Sequence, residues 1–232
     1  MRIVGGTFAG RDLTSPADRR VRPTAEHMRS ALLELLEPDV GGARILDLYA
    51  GTGALGLEAI SRGAVSCDFV EWRPASLLAL KGNINRFKLK TRTRVFRHDA
   101  IHFAEAVEPG RYDIAFCDPP YESRQLDWVI RIWEDRRFAR VLAVEHAVTH
   151  VLPPGHSSIT SGGTRFTIYR EPSAPGAPAP VTVTIADPNA APPPDPGRGD
   201  VAQRGATSRG GSGSRGAGRG GRGTGSRAPR RR

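Results

Sequence analysis

Short apolar runs alternate with amphipathic stretches through the middle of the chain. The apolar runs predict five buried strands, at residues 45–50, 67–70, 94–97, 112–117 and 141–145. Between and after them, apolar positions recur at helical spacing and predict helices at residues 54–62, 74–87, 101–107 and 125–134. Strands that alternate with helices are typical of an α/β fold, in which helices cover a mostly parallel sheet.

The segments on either side of this core have different patterns. Residues 2–14 contain glycine turns and predict a β-hairpin. It precedes a helix at residues 24–36, most of whose charged side chains are expected to face water. Residues 156–161 and 164–169 flank a Gly-Gly turn and predict an antiparallel hairpin. The sequence therefore predicts a seven-stranded sheet with five parallel strands.

The composition changes abruptly after residue 170. Residues 172–196 are rich in Pro and Ala, and residues 198–232 consist almost entirely of Gly, Arg, Ser, Thr and Ala, so neither segment can bury a core. We interpret the chain as an N-terminal extension at 1–43, a core domain at 44–170 and a disordered tail at 171–232. Two Arg-Gly-Gly elements in the tail favour loose RNA binding over a purely solubilising role.

Charge and cysteine content restrict the class of protein. The formal net charge is +10, which favours a polyanionic partner such as nucleic acid. Cys67 and Cys117 are the only cysteines and both fall in predicted strands, so we expect no disulfide framework. We also expect no metal site, because the paired histidines lack a third ligand. No apolar run reaches the ~18 residues of a membrane span, and we expect a cytoplasmic protein.

The tetrapeptide Asp118-Pro119-Pro120-Tyr121 directly follows the fourth predicted strand. The exocyclic amine of a nucleobase is a poor nucleophile, because its lone pair is delocalised into the ring. A carboxylate at Asp118 and a carbonyl in the Pro-Pro turn can accept both amine hydrogens and direct the lone pair at an electrophilic methyl group. Tyr121 offers a ring on which the base can stack. The tetrapeptide thus indicates methyl transfer to a flat amine, although an ordinary turn before a helix has a similar composition.

Acidic residues occur at the ends of four predicted strands, namely Asp47, Glu71, Asp99 and Asp118. Ligands bind at the carboxyl ends of strands in open α/β sheets. The first strand leads into the turn Gly51-x-Gly53-x-x-Gly56, where glycine allows the backbone to approach a ligand closely. Glu71 follows at the distance where an acid binds ribose hydroxyls. Asp99 taken alone is either an acceptor for an adenine amine or a helix N-cap, and its position at a strand end favours binding. These features predict a nucleoside cofactor.

The motifs form a long ordered series. It comprises Arg2-Ile3-Val4-Gly5-Gly6, Gly10-Arg11, Arg22-Pro23-Thr24, residues 47–59, Phe69-Val70-Glu71, Asp99-Ala100, residues 118–121 and Val144-Glu145-His146. Over residues 1–169 the chain resembles the RsmD family of 16S ribosomal RNA guanine-N2 methyltransferases. The resemblance implies a Rossmann-like class I methyltransferase fold, S-adenosyl-L-methionine as methyl donor, and N2 of one guanine in small-subunit ribosomal RNA as acceptor.

The resemblance also implies residue roles. The catalytic residues are Asp118, Pro119, Pro120 and Tyr121. The residues expected to line the donor site are Asp47, Tyr49, Gly51, Gly53, Glu71, Trp72, Asp99 and Ala100. The residues expected to contact substrate RNA are Arg11, Arg20, Arg22, Thr24 and His146; the arginines are chosen for the positive charge of the N-terminal extension, and His146 for its position at a strand end. The chain departs from the family at Tyr49, Thr52 and Trp72, and Trp72 is expected to alter the packing of adenine.

The expected partner is 16S ribosomal RNA or an assembling small ribosomal subunit, bound by a monomer. Residues 81–97 carry seven basic residues and no acid, which indicates either phosphate contacts or an ordinary solvated surface. Two other functions remain open. An adenine-N6 or cytosine-N4 methyltransferase on DNA or RNA would use the same tetrapeptide. A non-catalytic RNA-binding assembly factor would keep the fold as a scaffold, but it would not need an acid at every strand end.

Overall fold

The computed structural model describes residues 1–15, 25–119, 125–172 and 179–188. The helices are α1 (Glu26–Leu35), α2 (Glu37–Val40), α3 (Ala54–Ser61), α4 (Pro74–Arg86), α5 (Ala100–Ala106) and α6 (Gln125–Arg136). The strands are β1 (Arg44–Leu48), β2 (Ser66–Val70), β3 (Thr93–Phe96), β4 (Tyr112–Cys117), β5 (Ala139–Ala147), β6 (Ser157–Ser161), β7 (Thr164–Arg170) and β8 (Thr182–Thr184). The predicted helices and the predicted strands after residue 43 agree with these bounds to within two residues at each end.

The strands form one sheet in the order β3-β2-β1-β4-β5-β7-β6-β8. Strands β1 to β5 are parallel, whereas β7 is antiparallel to both β5 and β6. The predicted parallel core and final hairpin are therefore confirmed. The chain winds outwards from β1 through β2 to β3 and then returns to place β4 on the other side of β1. The topological switch point consequently lies between β1 and β4.

The predicted strand count of seven was wrong, because β8 adds an eighth strand parallel to β6. Its three residues lie in the segment that was assigned to the tail from residue 171 onwards. They belong to a β-branched run in Pro-rich surroundings, which is too short to be recognised by its periodicity. Residues 189–232 lie outside the described residues, so the disorder of that part of the tail remains a prediction.

Helices cover both faces of the sheet and divide the core into two halves. One half contains Ile45, Phe69 and Phe116 and packs against α1, α3 and α4. The other half contains Leu46 and Cys117 and packs against α5 and α6. Successive strand residues thus face opposite layers. Among the described residues, no helix combines the length and the apolarity needed to cross a membrane.

The N-terminal segment turns back on itself as predicted, with backbone hydrogen bonds from the Ile3 N–H to the Arg11 carbonyl and from the Leu13 N–H to the Met1 carbonyl, both 2.9 Å, but it forms no regular strands. It has a single antiparallel bridge, between Arg2 and Asp12, and a 3-10 turn at Gly6–Phe8. Hydrogen bonds to α3 also hold the segment. The Ser61 hydroxyl donates to the carbonyl of Gly5 at 2.6 Å and accepts from the N–H of Phe8 at 2.8 Å.

Glu58 of α3 is the centre of this attachment. Its fully buried carboxylate accepts hydrogen bonds from the backbone N–H groups of Val4 at 2.9 Å and Gly5 at 2.7 Å. The guanidinium of Arg29, also fully buried, lies 3.9 Å from the same carboxylate. Burial lowers the pKa of Arg29, and the neighbouring Glu58 opposes that shift. Most charged residues of α1 were expected to face water, and Arg29 is the exception, because Glu58 provides a buried counter-charge.

Asn83 of α4 makes a second attachment. Its buried amide accepts from the N–H of Thr14 at 2.8 Å and donates to the Thr14 carbonyl at 3.1 Å. The same amide nitrogen donates to the carbonyl of Thr52 at 3.0 Å. One side chain thus connects the N-terminal segment to the glycine turn after β1.

Replacement of Gly6 by alanine tests the attachment to α3. Gly6 has φ +73°, and a Cβ atom there would lie 2.0 Å from the Ser61 carbonyl oxygen. We expect Gly6→Ala to lower the free energy of unfolding by about 2–4 kcal/mol, because the clash adds to the cost of a left-handed backbone. Gly10→Ala is the matched control, since Gly10 has φ +79° and open space around it; its expected loss is about 1 kcal/mol. Equal losses of unfolding free energy for the two variants, measured by chemical denaturation, would contradict the close packing of Gly6 against Ser61.

Candidate active site

The carboxyl ends of the parallel strands meet at one rim of the sheet. In the observed register, Leu48 of β1 lies beside Val70 of β2 and Cys117 of β4. The residues that directly follow these three positions are neighbours on the rim, namely Tyr49, Glu71 and Asp118. Adjacent strands are about 5 Å apart, and the site lies at the switch point where open α/β sheets bind ligands. The predicted meeting of the glycine turn and the Asp-Pro turn on one rim is confirmed.

The glycine turn after β1 has the backbone that glycine favours. Gly51 has φ +56°, and a Cβ atom there would meet only the Tyr49 carbonyl oxygen, at 3.9 Å. Gly53 has φ +82° and precedes α3, and a Cβ atom there would lie 2.5 Å from a methyl group of Leu80. Gly51 therefore leaves room for a ligand beside the backbone. Gly53 is instead required by the packing of the turn against α4.

Asp47 is buried next to this turn. Its carboxylate accepts a hydrogen bond from the N–H of Gly56 at 3.0 Å. Burial raises the pKa of Asp47 to about 8; the Gly56 hydrogen bond opposes this shift, and the Glu71 carboxylate adds to it. A cation bound nearby would favour the ionised form of this group.

Glu71 joins the glycine turn to the start of α4. Its Oε2 accepts from the N–H of Gly51 at 2.8 Å, and its Oε1 accepts from the N–H groups of Trp72 at 2.8 Å and Arg73 at 2.7 Å. These bonds occupy three of the roughly four acceptor positions of a carboxylate. Oε2 can therefore accept one more hydrogen bond from a ligand hydroxyl.

Asp99 is the N-cap of α5. Its Oδ1 accepts from the N–H groups of Ile101 and His102, both at 3.0 Å, so the capping interpretation is confirmed. These bonds leave Oδ2 as an acceptor, and the side chain is 45% exposed. Ala100 is buried in the first turn of α5. The predicted contact of Asp99 with an adenine amine remains a prediction.

Two aromatic side chains lie on the same rim. The Tyr49 hydroxyl is buried and has no hydrogen-bond partner among the described residues, and burial raises the pKa of Tyr49. Trp72 is 62% exposed, and the guanidinium carbon of Arg97 lies 5.7 Å from the centre of its ring. The rim thus offers the exposed ring of Trp72 to a ligand, whereas the Tyr49 hydroxyl is shielded from solvent.

Asp118 and Pro119 follow β4, where Asp118 is half-buried and Pro119 is buried. The side chain of Cys117 points into the core half formed with α5 and α6, and burial raises the pKa of its thiol. A thiolate nucleophile at Cys117 is therefore disfavoured. Pro120 and Tyr121 lie outside the described residues, and their roles remain predictions.

Five residues are predicted to contact RNA, and the structure describes two of them, Arg11 and His146. Arg20, Arg22 and Thr24 lie outside the described residues. Arg11 is exposed, and its guanidinium lies 4.4 Å from the centre of the Phe87 ring, where stacking fixes its position.

His146 is only 2% exposed. One ring nitrogen lies 2.9 Å from the Ala147 carbonyl and the other 2.8 Å from the Thr167 hydroxyl, and burial lowers the pKa of His146. The predicted RNA contact of His146 is not supported by this placement, because both polar atoms of the ring are already bonded.

Glu58 and Asn83 support the site, but sequence reasoning missed both. Neither residue lies on the rim, yet together they fix α3, α4 and the carbonyl of Thr52. A single acid in an otherwise apolar helix was the available signal for Glu58. No comparable signal marked Asn83, because an asparagine in a polar-faced helix is ordinary.

The sheet order, the glycine turn after β1, the acid after β2 and the Asp-Pro turn after β4 together define a class I S-adenosyl-L-methionine-dependent methyltransferase fold. Residues 1–165 match the family model described as "Conserved hypothetical protein 95". The chain belongs to this family, the RsmD family of ribosomal RNA methyltransferases.

Individual relatives agree with this assignment. The chain is 35% identical over 156 residues to ribosomal RNA small subunit methyltransferase D of Escherichia coli (strain K12), an alignment that covers 66% of this chain and 78% of the relative. It is 31% identical over 138 residues to the protein of the same name from Buchnera aphidicola subsp. Acyrthosiphon pisum, covering 60% and 72%. The solved structure of the Escherichia coli protein yhhF matches with a TM-score of 0.65 and 31% identity, covering 75% of this chain and 99% of that one.

The raised pKa of Asp47 predicts a dependence of stability on pH. Between the ordinary pKa of 3.8 and about 8, the folded protein keeps a proton that the unfolded chain has lost, so stability falls as pH rises through this window. We expect the free energy of unfolding of the protein without ligand to decrease relative to Asp47→Asn by up to about 1.4 kcal/mol per pH unit. Denaturant titrations at pH 5, 6.5 and 8 measure the difference. Parallel curves for the two proteins would show that Asp47 has an ordinary pKa.

Proposed function

We propose that this protein transfers a methyl group from S-adenosyl-L-methionine to the N2 amine of a guanine in 16S ribosomal RNA. The observation that carries the proposal is the strand register, which puts the end of β1 and the Asp118-Pro119 turn side by side. Relatives at 31% and 35% identity bear the name of small-subunit ribosomal RNA methyltransferases. The guanine N2 specificity is our extension from the family resemblance of the motifs.

The acceptors on the rim suit the donor. We assign the remaining acceptor position on Glu71 Oε2, beside its bond from the Gly51 N–H, to a ribose hydroxyl. We assign Asp99 Oδ2 to the adenine amine, because both capping bonds of this side chain are on Oδ1. The ring of Trp72 would cover the adenine. The Glu71 carboxylate contributes to the raised pKa of Asp47, so the two acids lie close together. We assign Asp47 to the cationic amino acid end of the donor.

The donor, when bound, supplies an electrophilic methyl group. Asp118 and the Pro119 carbonyl would accept the two hydrogens of the guanine amine and hold its lone pair towards that methyl group. The half-burial of Asp118 supports this role, because a carboxylate removed from bulk water orients a donor more strongly. Tyr121 would stack on the base after the base has left the RNA helix.

No strong base is needed to complete the reaction. The amine nitrogen becomes acidic once it has gained the methyl group and a positive charge, so its proton is lost readily to Asp118 or to water. Asp118 therefore acts chiefly by orientation. This requirement favours a rigid turn, and Pro119 restricts the backbone at this position.

Nucleoside mass spectrometry of 16S ribosomal RNA, from cells with and without this protein, tests the substrate. We expect N2-methylguanosine to decrease by one residue per RNA and to return when the gene is restored. Loss of N6-methyladenosine or N4-methylcytidine instead would establish the adenine or cytosine alternative. Unchanged methylation of all three bases would support the non-catalytic assembly factor.

Asp118 variants test the mechanism. Asp118→Ala and Asp118→Asn are expected to reduce turnover by about 10²–10³-fold, because each removes the charged acceptor for the amine hydrogens. Donor affinity, measured by calorimetry, should change by less than about threefold, since Asp118 orients only the acceptor. Glu105→Gln, on the exposed surface of α5, is the control for loss of one carboxylate. Turnover near that of the parent protein in either variant would remove Asp118 from the mechanism.

A further inference from the structure

Lysine occurs in only one place in this protein. All three lysines lie within residues 81–90, at positions 81, 88 and 90, whereas the other 31 of the 34 basic residues in the 232-residue chain are arginine. The ammonium group of lysine is a compact, mobile point charge, whereas the guanidinium of arginine bonds well to carbonyl and carboxylate groups in fixed geometry. The confinement of lysine to one surface therefore suggests a separate task for that surface.

The arginines and the lysines of this region differ in whether they have partners within the protein. Arg86 donates to the Asp12 carbonyl at 2.8 Å, Arg92 donates to the Val65 carbonyl at 3.1 Å, and Arg94 forms an ion pair with Asp68. These arginines stabilise the fold. The three lysines are exposed and make no hydrogen bond or ion pair with any described residue. Their charges are therefore available to a partner.

Two of the lysines line a groove of about 310 Å³ between α4 and the edge strand β3. The groove is lined by Lys81, Ile84, Asn85, Lys90, Thr93 and Val95. Residues 73–98 contain no acid, so no acidic side chain of this segment opposes an anion in the groove. Polar groups from Asn85 and Thr93 provide hydrogen-bond partners beside the two ammonium groups.

Lys88 continues the positive surface at the end of α4. It has φ +58°, in the left-handed region that asparagine and glycine adopt more easily than lysine. Its backbone position follows the helix C-cap Phe87, on which Arg11 of the N-terminal segment stacks. The lysines and Arg11 therefore form one extended basic surface. Such a row of charges suits a chain of phosphates better than a single phosphate group.

We propose that the lysine groove, with Lys88 and Arg11 beside it, binds the phosphate backbone of the substrate RNA outside the active site. The inference rests on the proposed function and identifies where the RNA outside the active site lies. Helix α4 has 13 residues and is therefore about 20 Å long. It begins directly after the rim and runs back toward the opposite edge of the sheet, so Lys81 and Asn85 lie about 10–17 Å from the rim along the helix axis, a distance that several nucleotides of RNA can span.

The first test measures the binding of an unmodified 16S ribosomal RNA transcript to the full-length protein over a range of salt concentrations. Lys81→Gln/Lys90→Gln is expected to weaken binding about tenfold at 0.1 M salt and to reduce the slope of log affinity against log salt by about 1–2. Arg111→Gln/Arg136→Gln removes two exposed charges away from the groove and should leave the slope nearly unchanged. Equal effects of the two double variants would overturn the proposal.

Lys88→Asn separates RNA binding from folding. Asparagine suits the left-handed position, so the melting temperature should stay the same or rise, whereas RNA affinity should fall about threefold. A residue with a purely structural role would change both quantities in the same direction. Affinity that follows the melting temperature, or affinity equal to that of the parent protein, would contradict the assignment.

Amine labelling tests the groove without mutation. Because the chain has three lysines, acetylation by an N-hydroxysuccinimide ester followed by peptide mass spectrometry reports on this surface alone, apart from the N-terminal amine. The transcript should slow the acetylation of Lys81 and Lys90 at least fivefold, and S-adenosyl-L-methionine alone should not. Unprotected lysines in a protein that still produces N2-methylguanosine would overturn this proposal and leave the proposed function intact. Absence of N2-methylguanosine together with protected lysines would overturn the proposed function and leave the RNA-binding role of the groove intact.

Discussion

The parallel register of β1 with β2 and β4 is the constraint on which the candidate site depends. It places the residues that follow Leu48, Val70 and Cys117 side by side on one rim. A slip of one residue in β1 would turn Asp47 away from α3 and the glycine turn, because side chains alternate between the two faces. The apolar residues of β1 are buried on both sides, in the two halves of the core. The hydrophobic core therefore determines the register, and the register determines the positions of the acids.

Buried polar side chains connect the N-terminal segment to this rim. Glu58 accepts the N–H groups of Val4 and Gly5, and Asn83 bonds both Thr14 and the carbonyl of Thr52. Removal of one partner of a buried charge pair typically costs about 3–5 kcal/mol, because the other charge is left buried without compensation. The segment predicted to meet RNA thus shares helices with the turn predicted to hold the donor.

Basic residues have two physical roles in this protein. The planar guanidinium groups of Arg86, Arg92 and Arg94 satisfy carbonyls or pair with a carboxylate, and these bonds hold loops and strand ends together. The lysines remain solvated and take no part in the fold. A high net charge is therefore a poor guide to a binding surface by itself. The relevant quantity is the charge that remains after internal partners have been assigned.

Local pattern and motif were sufficient to predict the class of fold, the five parallel strands and the acids at their ends, because strand burial and glycine turns leave clear signals in sequence. The glycine turn and the N-cap at Asp99 have the expected conformations. The predicted N-terminal hairpin became a single bridge, and β8 was missed, because short or weakly paired strands depend on neighbours that are distant in the chain.

The sequence by itself therefore determined which chemical groups the protein has and the order of the elements that carry them. Only the tertiary structure decided which of those groups are available. It showed that His146 is buried with both ring nitrogens bonded, that Arg29 is paired inside the core, and that the lysines have no described partner. Availability depends on contacts between residues far apart in the chain, and such contacts leave no periodic signal in the sequence.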